Sequence, residues 1–173
     1  PSQATAECAS SDGTTVSLGE PTVSDACDAS PAIANDAPEV FPLGTTTVTW
    51  SATDASGNVA TATQEVTIED TVSPSLDVAV SPDVLWPVDH KLYPIDTMVT
   101  ATDVCDANPT VTLEGVISNE GADGLGDGDT EADIVIDDDG IIWLRAERSG
   151  TGSDRIYTIT YTAIDASGNA ASA

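Results

Sequence analysis

The stretch VTWSATDASGN at residues 48–58 returns near the end of the chain as ITYTAIDASGN at residues 159–169. In both copies apolar residues alternate with polar ones, which is the period of a strand with one buried face. Both copies end in Asp-Ala-Ser-Gly-Asn. Gly and Asn tolerate positive φ, and Asp and Ser can bond nearby backbone, so the pentapeptide predicts a tight turn. Two copies of one strand-and-turn unit predict two modules.

The chain is strongly acidic, with 4 Lys and Arg against 30 Asp and Glu among 173 residues and a formal net charge of -26. Nucleic acid and anionic membrane surfaces are poor partners for such a charge. The acidic residues are interleaved with Val, Ile, Thr and Ala, which favours a folded chain with acidic loops over disorder. The sequence contains no run of about 18 apolar residues, so membrane insertion is not predicted. No signal peptide is present. The scarcity of Lys suits a secreted or surface protein.

Many short strand patterns separated by turn signals, without helical periodicity, predict β-sandwiches. The first module is assigned to residues 1–70 and the second to residues 71–173. The second gains an acidic, glycine-rich loop and a β-hairpin within residues 120–148. It stops within four residues of its turn, so its last strand is expected to be missing. Two explanations are open. The sequence is an excerpt of a longer polypeptide, or a strand from a neighbouring module takes the place of the missing strand.

A disulfide between two of the three cysteines would imply an oxidising compartment. Cys8 and Cys27 lie in the same module at a spacing suited to bridging neighbouring strands, so we predict a disulfide between them. Cys105 is left over. It is either a buried free thiol or the partner of another chain or of a further module.

Residues 41–58, FPLGTTTVTWSATDASGN, contain an F-P-x-G turn followed by a V-T-x-x-A-x-D-x-S/A-G-N strand and turn, and residues 24–27 form an upstream S-D-x-C segment. On these motifs the first module resembles the hyalin repeat (HYR) family over about residues 5–70. The resemblance implies an immunoglobulin-like sandwich, extracellular placement, and a role in adhesion or in extended surface structures. It does not imply an enzyme.

The second module carries LWPVDHKL at residues 85–92, SNE at residues 118–120, GDGD at residues 126–129 and RAERSG at residues 145–150. It is similar to a companion module found beside such repeats in large secreted bacterial proteins, where the first motif reads L-W-P-P-N-H-K-L. The predicted fold class is therefore all-β: two tandem immunoglobulin-like β-sandwiches, the second with an inserted acidic loop and β-hairpin.

The acidic segment at residues 120–139, with no basic residue near it in the sequence, is the strongest candidate for chemistry. Calcium takes six to eight oxygen ligands, and glycines between aspartates let carboxylates and carbonyls converge. The segment is not an EF-hand, and the alternative is a solvated acidic loop. Carboxylates held this close repel one another strongly without cations, which favours calcium. The predicted ligands are Glu120, Asp123, Asp127, Asp129, Glu131 and Asp133.

A second calcium site is expected from topology. In an immunoglobulin-like sandwich, the loop before the third strand and the turn before the last strand lie at one end. Calcium at that end would stiffen the junction between modules. The alternative is that these residues only cap turns. The junction set is Glu69, Asp70, Asp103, Asp106, Asp165 and Asn169, and the matching set at the head of the first module is Asp25, Asp28, Asp54 and Asn58.

Catalysis is not predicted. His90 is the sole histidine, and such a residue is more often packed and hydrogen-bonded than a base or a ligand. Arg145, Arg148 and Arg155 are expected to form structural ion pairs first and a docking patch second.

The preferred function is an extracellular, calcium-stabilised structural or adhesive module. It would join copies of itself, or adjacent modules of the same polypeptide, head to tail in a filament with strand sharing. The alternative is a carbohydrate-binding accessory module of a secreted hydrolase. Exposed, coplanar side chains of Trp50, Trp86 and Trp143 would favour that alternative as a sugar-stacking platform, although Trp50 lies on a buried strand face and is expected to belong to the core.

Overall fold

The computed structural model describes residues 1–121, 132–148, 150 and 154–173. All regular secondary structure in these residues is β, and they contain no helix that could cross a membrane. In chain order the strands are β1 (Ala4–Glu7), β2 (Ala32–Asn35), β3 (Gly44–Thr53), β4 (Val59–Glu69), β5 (Ser75–Ser81), β6 (Leu92–Thr102), β7 (Thr110–Ser118), β8 (Ile134–Ile136), β9 (Ile142–Arg145), β10 (Tyr157–Ile164) and β11 (Ala170–Ser172).

The described chain forms two compact units. The first consists of Pro1–Val72 together with Asp103–Ala107, and the second of Ser73–Thr102 together with Asn108–Ala173. The short segment Asp103–Ala107 follows β6 in the sequence, yet it belongs to the first unit. The sequence had placed it in the second module.

The first unit is built on a four-stranded sheet in the order β1-β4-β3-β2. Strands β3 and β4 form the long hairpin that the repeated stretch predicts, with Gly44 opposite Ile68 and Thr53 opposite Val59. Strand β1 lies parallel to the far end of β4. Alternation along β3 and β4 turns their apolar side chains to one face of this sheet.

The core of the first unit lies against that face. Phe41 comes from the opposite side, where its backbone pairs with Thr14 through hydrogen bonds of 2.8 and 2.9 Å. Burying each large apolar side chain contributes about 1.5–3 kcal/mol. Trp50 is part of this core, and its Nε1 donates to Oε1 of the buried Gln64 at 2.9 Å. The core residues are Phe41, Val48, Trp50, Val66 and Ile68.

The second unit consists of two sheets in the orders β5-β6-β9-β8 and β11-β10-β7. If its strands are lettered in chain order, these are the A-B-E-D and G-F-C sheets of an immunoglobulin domain. Ile95, Ile142 and Leu144 form the buried core on the first sheet, and apolar residues of β7 and β10 pack against them. The all-β, immunoglobulin-like prediction is therefore confirmed.

The hairpin predicted within residues 120–148 is present, and its strands β8 and β9 take the places of the D and E strands of the immunoglobulin domain. Strands β8 and β9 pair with Ile134 opposite Leu144, and β9 pairs in turn with β6. The turn between them closes through a 2.9 Å hydrogen bond from Gly140 N to Asp137 O. Gly140 has a φ of 81°, which a residue with a side chain rarely adopts.

The last strand of the second unit, expected to be missing, is present as the three-residue β11, whereas β4 of the first unit has eleven residues. The turn after β10 reverses the chain in the same way as the turn after β3, which allows residues 170–172 to pair with β10. The register places Thr162 opposite Ser172 and Ile164 opposite Ala170.

Candidate functional site

The turn that follows β3 is organised by one carboxylate. Asp54 Oδ1 accepts hydrogen bonds from the backbone N–H groups of Ser56 at 2.9 Å and Asn58 at 2.8 Å. Its Oδ2 accepts a third from Asn58 Nδ2 at 2.7 Å. Gly57, with a φ of 89°, completes the turn. The hydrogen bonds from Asn58 lower the pKa of Asp54, because they stabilise the charged carboxylate.

The turn that follows β10 repeats this arrangement. Asp165 Oδ1 accepts from the N–H groups of Ser167 at 2.9 Å and Asn169 at 2.8 Å, and Oδ2 accepts from Asn169 Nδ2 at 2.9 Å. Asp165 is buried, with 5% of its surface exposed. Burial alone would raise its pKa, but the hydrogen bonds from Asn169 and its neighbours outweigh burial and lower the pKa. Turn formation is thus a definite role for both aspartates.

The predicted head site of the first module is partly assembled. Asp25, Asp54 and Asn58 line one cleft of about 150 Å³. Asp28 is tied to the same turn, since its Oδ2 accepts a 2.9 Å hydrogen bond from Ala55 N. The pKa of Asp25 is lowered by hydrogen bonds from the backbone of the loop that follows it, although the nearby charge of Asp54 opposes this. The four residues therefore lie together, as predicted.

The predicted junction site is brought together in part within the first unit. Carboxylate oxygens of Asp70 and Asp103 and the sulfur of Cys105 all lie within 4.8 Å of one another. The sulfur belongs to a disulfide and is no thiolate ligand, so two carboxylates remain. Asp103 Oδ1 accepts from the N–H of Cys105 at 2.7 Å and of Asp106 at 2.9 Å. These two bonds use both lone pairs of Oδ1, so Asp103 would bind a cation through Oδ2.

The remaining junction residues belong to the following elements. Glu69 ends β4, and its carbonyl accepts a 2.7 Å hydrogen bond from Cys8 N. Asp165 and Asn169 belong to the second unit and form the turn after β10. Hard oxygen ligands such as these suit calcium, and Asp70 with Asp103 supply two of the six to eight oxygens that it takes. Carbonyl groups and water would have to complete the set.

Of the six ligands predicted in the acidic loop, Asp123, Asp127, Asp129 and Glu131 lie outside the described residues. Glu120 and Asp133 are described, and both pair with the guanidinium group of Arg155. Glu120 Oε2 accepts from Arg155 Nε at 3.1 Å, and Asp133 Oδ2 accepts from Arg155 Nη1. The expectation that no basic residue lies near the loop is therefore wrong, because the chain returns Arg155 to it from more than twenty positions away.

A buried ionic cluster surrounds Arg155. Its side chain is 2% exposed, and Nη1 also donates to Glu147 Oε1 at 2.9 Å. Glu147 is fully buried, and Arg145 lies alongside, with Nε 3.6 Å from Asp133 Oδ1 and 4.0 Å from Glu147 Oε2. Burial and the adjacent Glu147 raise the pKa of Asp133, against the opposing effect of Arg155. Each buried charge of the cluster therefore lies beside an opposite charge, which offsets the cost of removing it from water.

The expected ion pairs of the three arginines are confirmed, since Arg148 also lies 3.7 Å from Asp154. Their partners could not be read from the sequence, because the residues are brought together only by strand pairing. The sole histidine belongs to the same region: Nδ1 of His90 lies 3.4 Å from Glu147 Oε2. That contact agrees with the hydrogen-bonded part of the role predicted for it, but the side chain is 43% exposed and is therefore not packed in the interior.

The predicted Cys8–Cys27 disulfide is wrong. Cys8 is bonded to Cys105, with 6.1 Å between their Cα atoms, and Cys27 is free and exposed. Cys8 follows β1, whose parallel pairing with β4 places it at the end of the sheet beside Glu69. The segment that contains Cys105 lies at that same end, next to Asp70. Cys27 is instead held in the loop after Asp25, where its N–H donates to Asp25 Oδ1 at 2.8 Å.

Comparisons with known proteins give a match for the first unit. No curated protein matches the chain. Among solved structures, the crystal structure of human protocadherin-24 EC1-2 is similar to 80% of this chain, over 71% of its own length, with 17% sequence identity and a TM-score of 0.26. The resemblance of the second module to a companion module stays a prediction. Residues 3–68 match the model of the HYR domain family, which confirms the resemblance of the first module to that family.

Proposed function

We propose that this chain is an extracellular, calcium-stabilised structural or adhesive module. The observation that carries the proposal is the convergence of carboxylates in the first unit, where Asp70 approaches Asp103, and Asp25 shares a cleft with Asp54. Like charges brought this close raise each other's free energy unless a cation offsets them. A chain with a net charge of -26 has few cations of its own for that purpose.

The extracellular placement is supported by two independent features. Residues 3–68 match the HYR domain, a family placed outside the cell by the resemblance described above. The Cys8–Cys105 disulfide suits an oxidising compartment, because the cytosol keeps most thiols reduced.

The acidic loop of the second unit retains a part in the proposal. Arg155 neutralises Glu120 and Asp133, and it anchors the described side of the loop through a 3.2 Å hydrogen bond from Nη2 to Gly121 O. Arg145 Nη2 donates to Ala132 O on the other side at 3.1 Å. The remaining carboxylates, at residues 123, 127, 129 and 131, are the calcium ligands that we propose there.

We propose further that modules associate head to tail, with copies of the chain or with adjacent modules of the same polypeptide, and share strands in a filament. The antiparallel pairing of β11 with β10, with Thr162 opposite Ser172, is the geometry that β-strand addition from a neighbouring module would use.

The role is proposed to be non-enzymatic. The sole histidine, His90, donates its backbone N–H to Ala146 O at 3.0 Å and directs its ring towards Glu147. The ring contact belongs to the buried ion cluster, and the backbone contact joins two segments of the second unit. Both contacts support a structural role for the residue.

The carbohydrate-binding alternative is favoured by one observation, the exposure of Trp86, which has 79% of its surface accessible. Trp50 is 6% exposed in the core of the first unit, as expected from its strand face, so it takes no part in a sugar-stacking platform. Trp143 donates Nε1 to Asp137 Oδ2 at 2.9 Å and is half-buried in the hairpin. A hydrolase accessory role would therefore depend on Trp86.

The test of the calcium proposal is a thermal melt of the purified chain with calcium and with excess chelator, followed by electron microscopy of both samples. A ligand that binds only the folded state raises its stability, so calcium should raise the midpoint by several degrees. Chelation should also dissolve filaments. Equal midpoints in both conditions would overturn the calcium proposal. Filaments that survive chelation would show that assembly does not require calcium.

A further inference from the structure

Two sequence motifs that the proposed function does not use meet in the second unit. Residues 85–92, LWPVDHKL, and residues 145–150, RAERSG, are hydrogen-bonded through their backbones. His90 N donates to Ala146 O at 3.0 Å, and Ala146 N donates to Lys91 O at 2.9 Å. Arg145 Nη1 adds a 2.7 Å hydrogen bond to His90 O. The two motifs thus lie side by side, although more than fifty residues separate them in the sequence.

Residues of both motifs line a cavity of about 470 Å³. The volume is in the range of small-molecule sites, which are commonly apolar with a few polar groups. Ile95 and Leu144 of the core form part of its lining, together with Ile159 of β10. The cavity therefore combines a buried apolar side with the exposed motif residues.

The charges around the cavity differ from those of the rest of the chain. Three of the four Lys and Arg residues line it, namely Arg145, Arg148 and Arg155. Arg145 and Arg155 are held by buried carboxylates. Arg148 is 55% exposed at its side chain and faces Asp154, which is 91% exposed. The cavity thus presents an accessible hydrogen-bond donor beside an accessible acceptor.

The exposed indole of Trp86 supplies the third element. A large aromatic surface that is 79% exposed gains free energy when a ligand covers it. The negative charges of Asp83 and Asp154 oppose an anionic ligand, and the positive charge of Arg148 opposes a cationic one. A neutral sugar ring avoids both penalties. It offers an apolar C–H face to an indole and hydroxyl groups that can both accept and donate hydrogen bonds.

We propose that this cavity binds a neutral saccharide, with a ring stacked on Trp86 and hydroxyl groups hydrogen-bonded to Arg148 and Asp154. The site supplies a target for the proposed adhesive role and rests on that role for its biological meaning. Binding itself does not depend on calcium or on filament formation, because the three residues belong to the second unit and are not among the predicted calcium ligands.

The test is isothermal titration calorimetry of the full chain with neutral hexasaccharides of glucose, galactose, mannose and N-acetylglucosamine, in the presence of calcium. At least one sugar should bind. Trp86→Ala should weaken that binding by about tenfold or more, since aromatic anchors dominate many binding sites. Arg148→Gln should weaken it by a smaller factor. The matched control is Ile117→Ala, because Ile117 is 66% exposed in the same unit and does not line the cavity.

Four results would overturn the proposal: no binding of any of the four sugars, binding that Trp86→Ala leaves unchanged, equal weakening by Ile117→Ala, or tighter binding of tetramethylammonium than of any sugar. A thermal melt of each variant establishes that it is folded. The NMR signal of the Trp86 indole N–H, assigned with Trp86→Phe, should shift on titration with the sugar and gives a second measurement in the unmodified chain. The calcium melt is separate, so failure of one proposal is distinguishable from failure of the other.

Discussion

Cys8 and Cys105 are bonded to each other across a sequence separation of 97 residues. A disulfide that closes a loop of this length removes conformational entropy from the unfolded chain, which corresponds to about 4–5 kcal/mol. We expect Cys105→Ser to lower the free energy of unfolding of the first unit by that order. Urea denaturation followed by the fluorescence of the buried Trp50 measures this change.

The free cysteine provides the control for this prediction. Cys27→Ser should leave the denaturation midpoint unchanged, because Cys27 is exposed and forms no disulfide. A large loss of stability in Cys27→Ser, with none in Cys105→Ser, would contradict the observed pairing.

Arg155→Ala should destabilise the second unit by about 3–5 kcal/mol, because it leaves buried carboxylates without their counter-charge. Glu147 is fully buried and Asp133 is 5% exposed at the side chain, so water cannot replace the guanidinium group. Hydrogen exchange of the β10 amides measures the stability of this unit. The exposed Arg148 is the matched control, and Arg148→Ala should change stability by less than about 1 kcal/mol.

The turn aspartates should produce a loss of stability in acid. Their pKa values in the folded chain are below the usual value for Asp of about 3.9, so the unfolded chain binds more protons at low pH. Their stabilising contribution is present above that value and disappears as the pH falls through the folded pKa. Asp165→Asn should therefore flatten the dependence of the melting temperature on pH below about 4. Asp77→Asn, at an exposed position of β5, is the control for the loss of one negative charge.

Asp133 should act with the opposite sign. Its pKa is raised in the folded chain, so its contribution favours folding below the usual pKa of Asp and is lost as the pH rises through the folded value. The two effects are separable, because Asp165→Asn removes one and leaves the other. If the melting temperature of Asp165→Asn fell more steeply with decreasing pH than that of the unmodified chain, the stabilising role of the Asp165 carboxylate would be contradicted.

The convergence of Asp70 and Asp103 predicts a specific calcium response. The double variant Asp70→Asn, Asp103→Asn should need a higher calcium concentration for the same rise in melting temperature, because two charged ligands are removed. Asp77→Asn, Asp96→Asn removes the same number of charges from exposed positions of β5 and β6. If both double variants respond alike, calcium acts on the overall charge and not on this pair.

The repeated stretch predicted much of the fold correctly because its information is local. Alternation fixed the buried face of β3, and the Asp-Ala-Ser-Gly-Asn turn was recognisable from residues that bond within five positions of one another. The hairpin predicted within residues 120–148 is closed by a turn of the same local kind, at Asp137–Gly140. The proximity of Asp25 and Asp54 was expected from the topology of an immunoglobulin-like sandwich, whereas calcium binding there stays a prediction.

The remaining features depend on contacts that no local pattern encodes. Cys8 reaches Cys105 because β1 pairs in parallel with β4 and because the segment after β6 joins the first unit. Arg155 reaches Glu120 across 35 positions. The sequence indicated that its scarce arginines pair with carboxylates, but a chain with 30 carboxylates offers too many partners to choose among.

The bond between Cys8 and Cys105 also determines how the chain transmits a mechanical load. Tension applied through the residues before Cys8 and after Cys105 passes directly across the two sulfur atoms and bypasses the 97-residue separation between them. Fully extended, that length of chain would span roughly 330 Å. Even when pulled hard enough to unfold the sheet β1-β4-β3-β2, the oxidised chain would release almost none of this length, and a reducing agent would set it free.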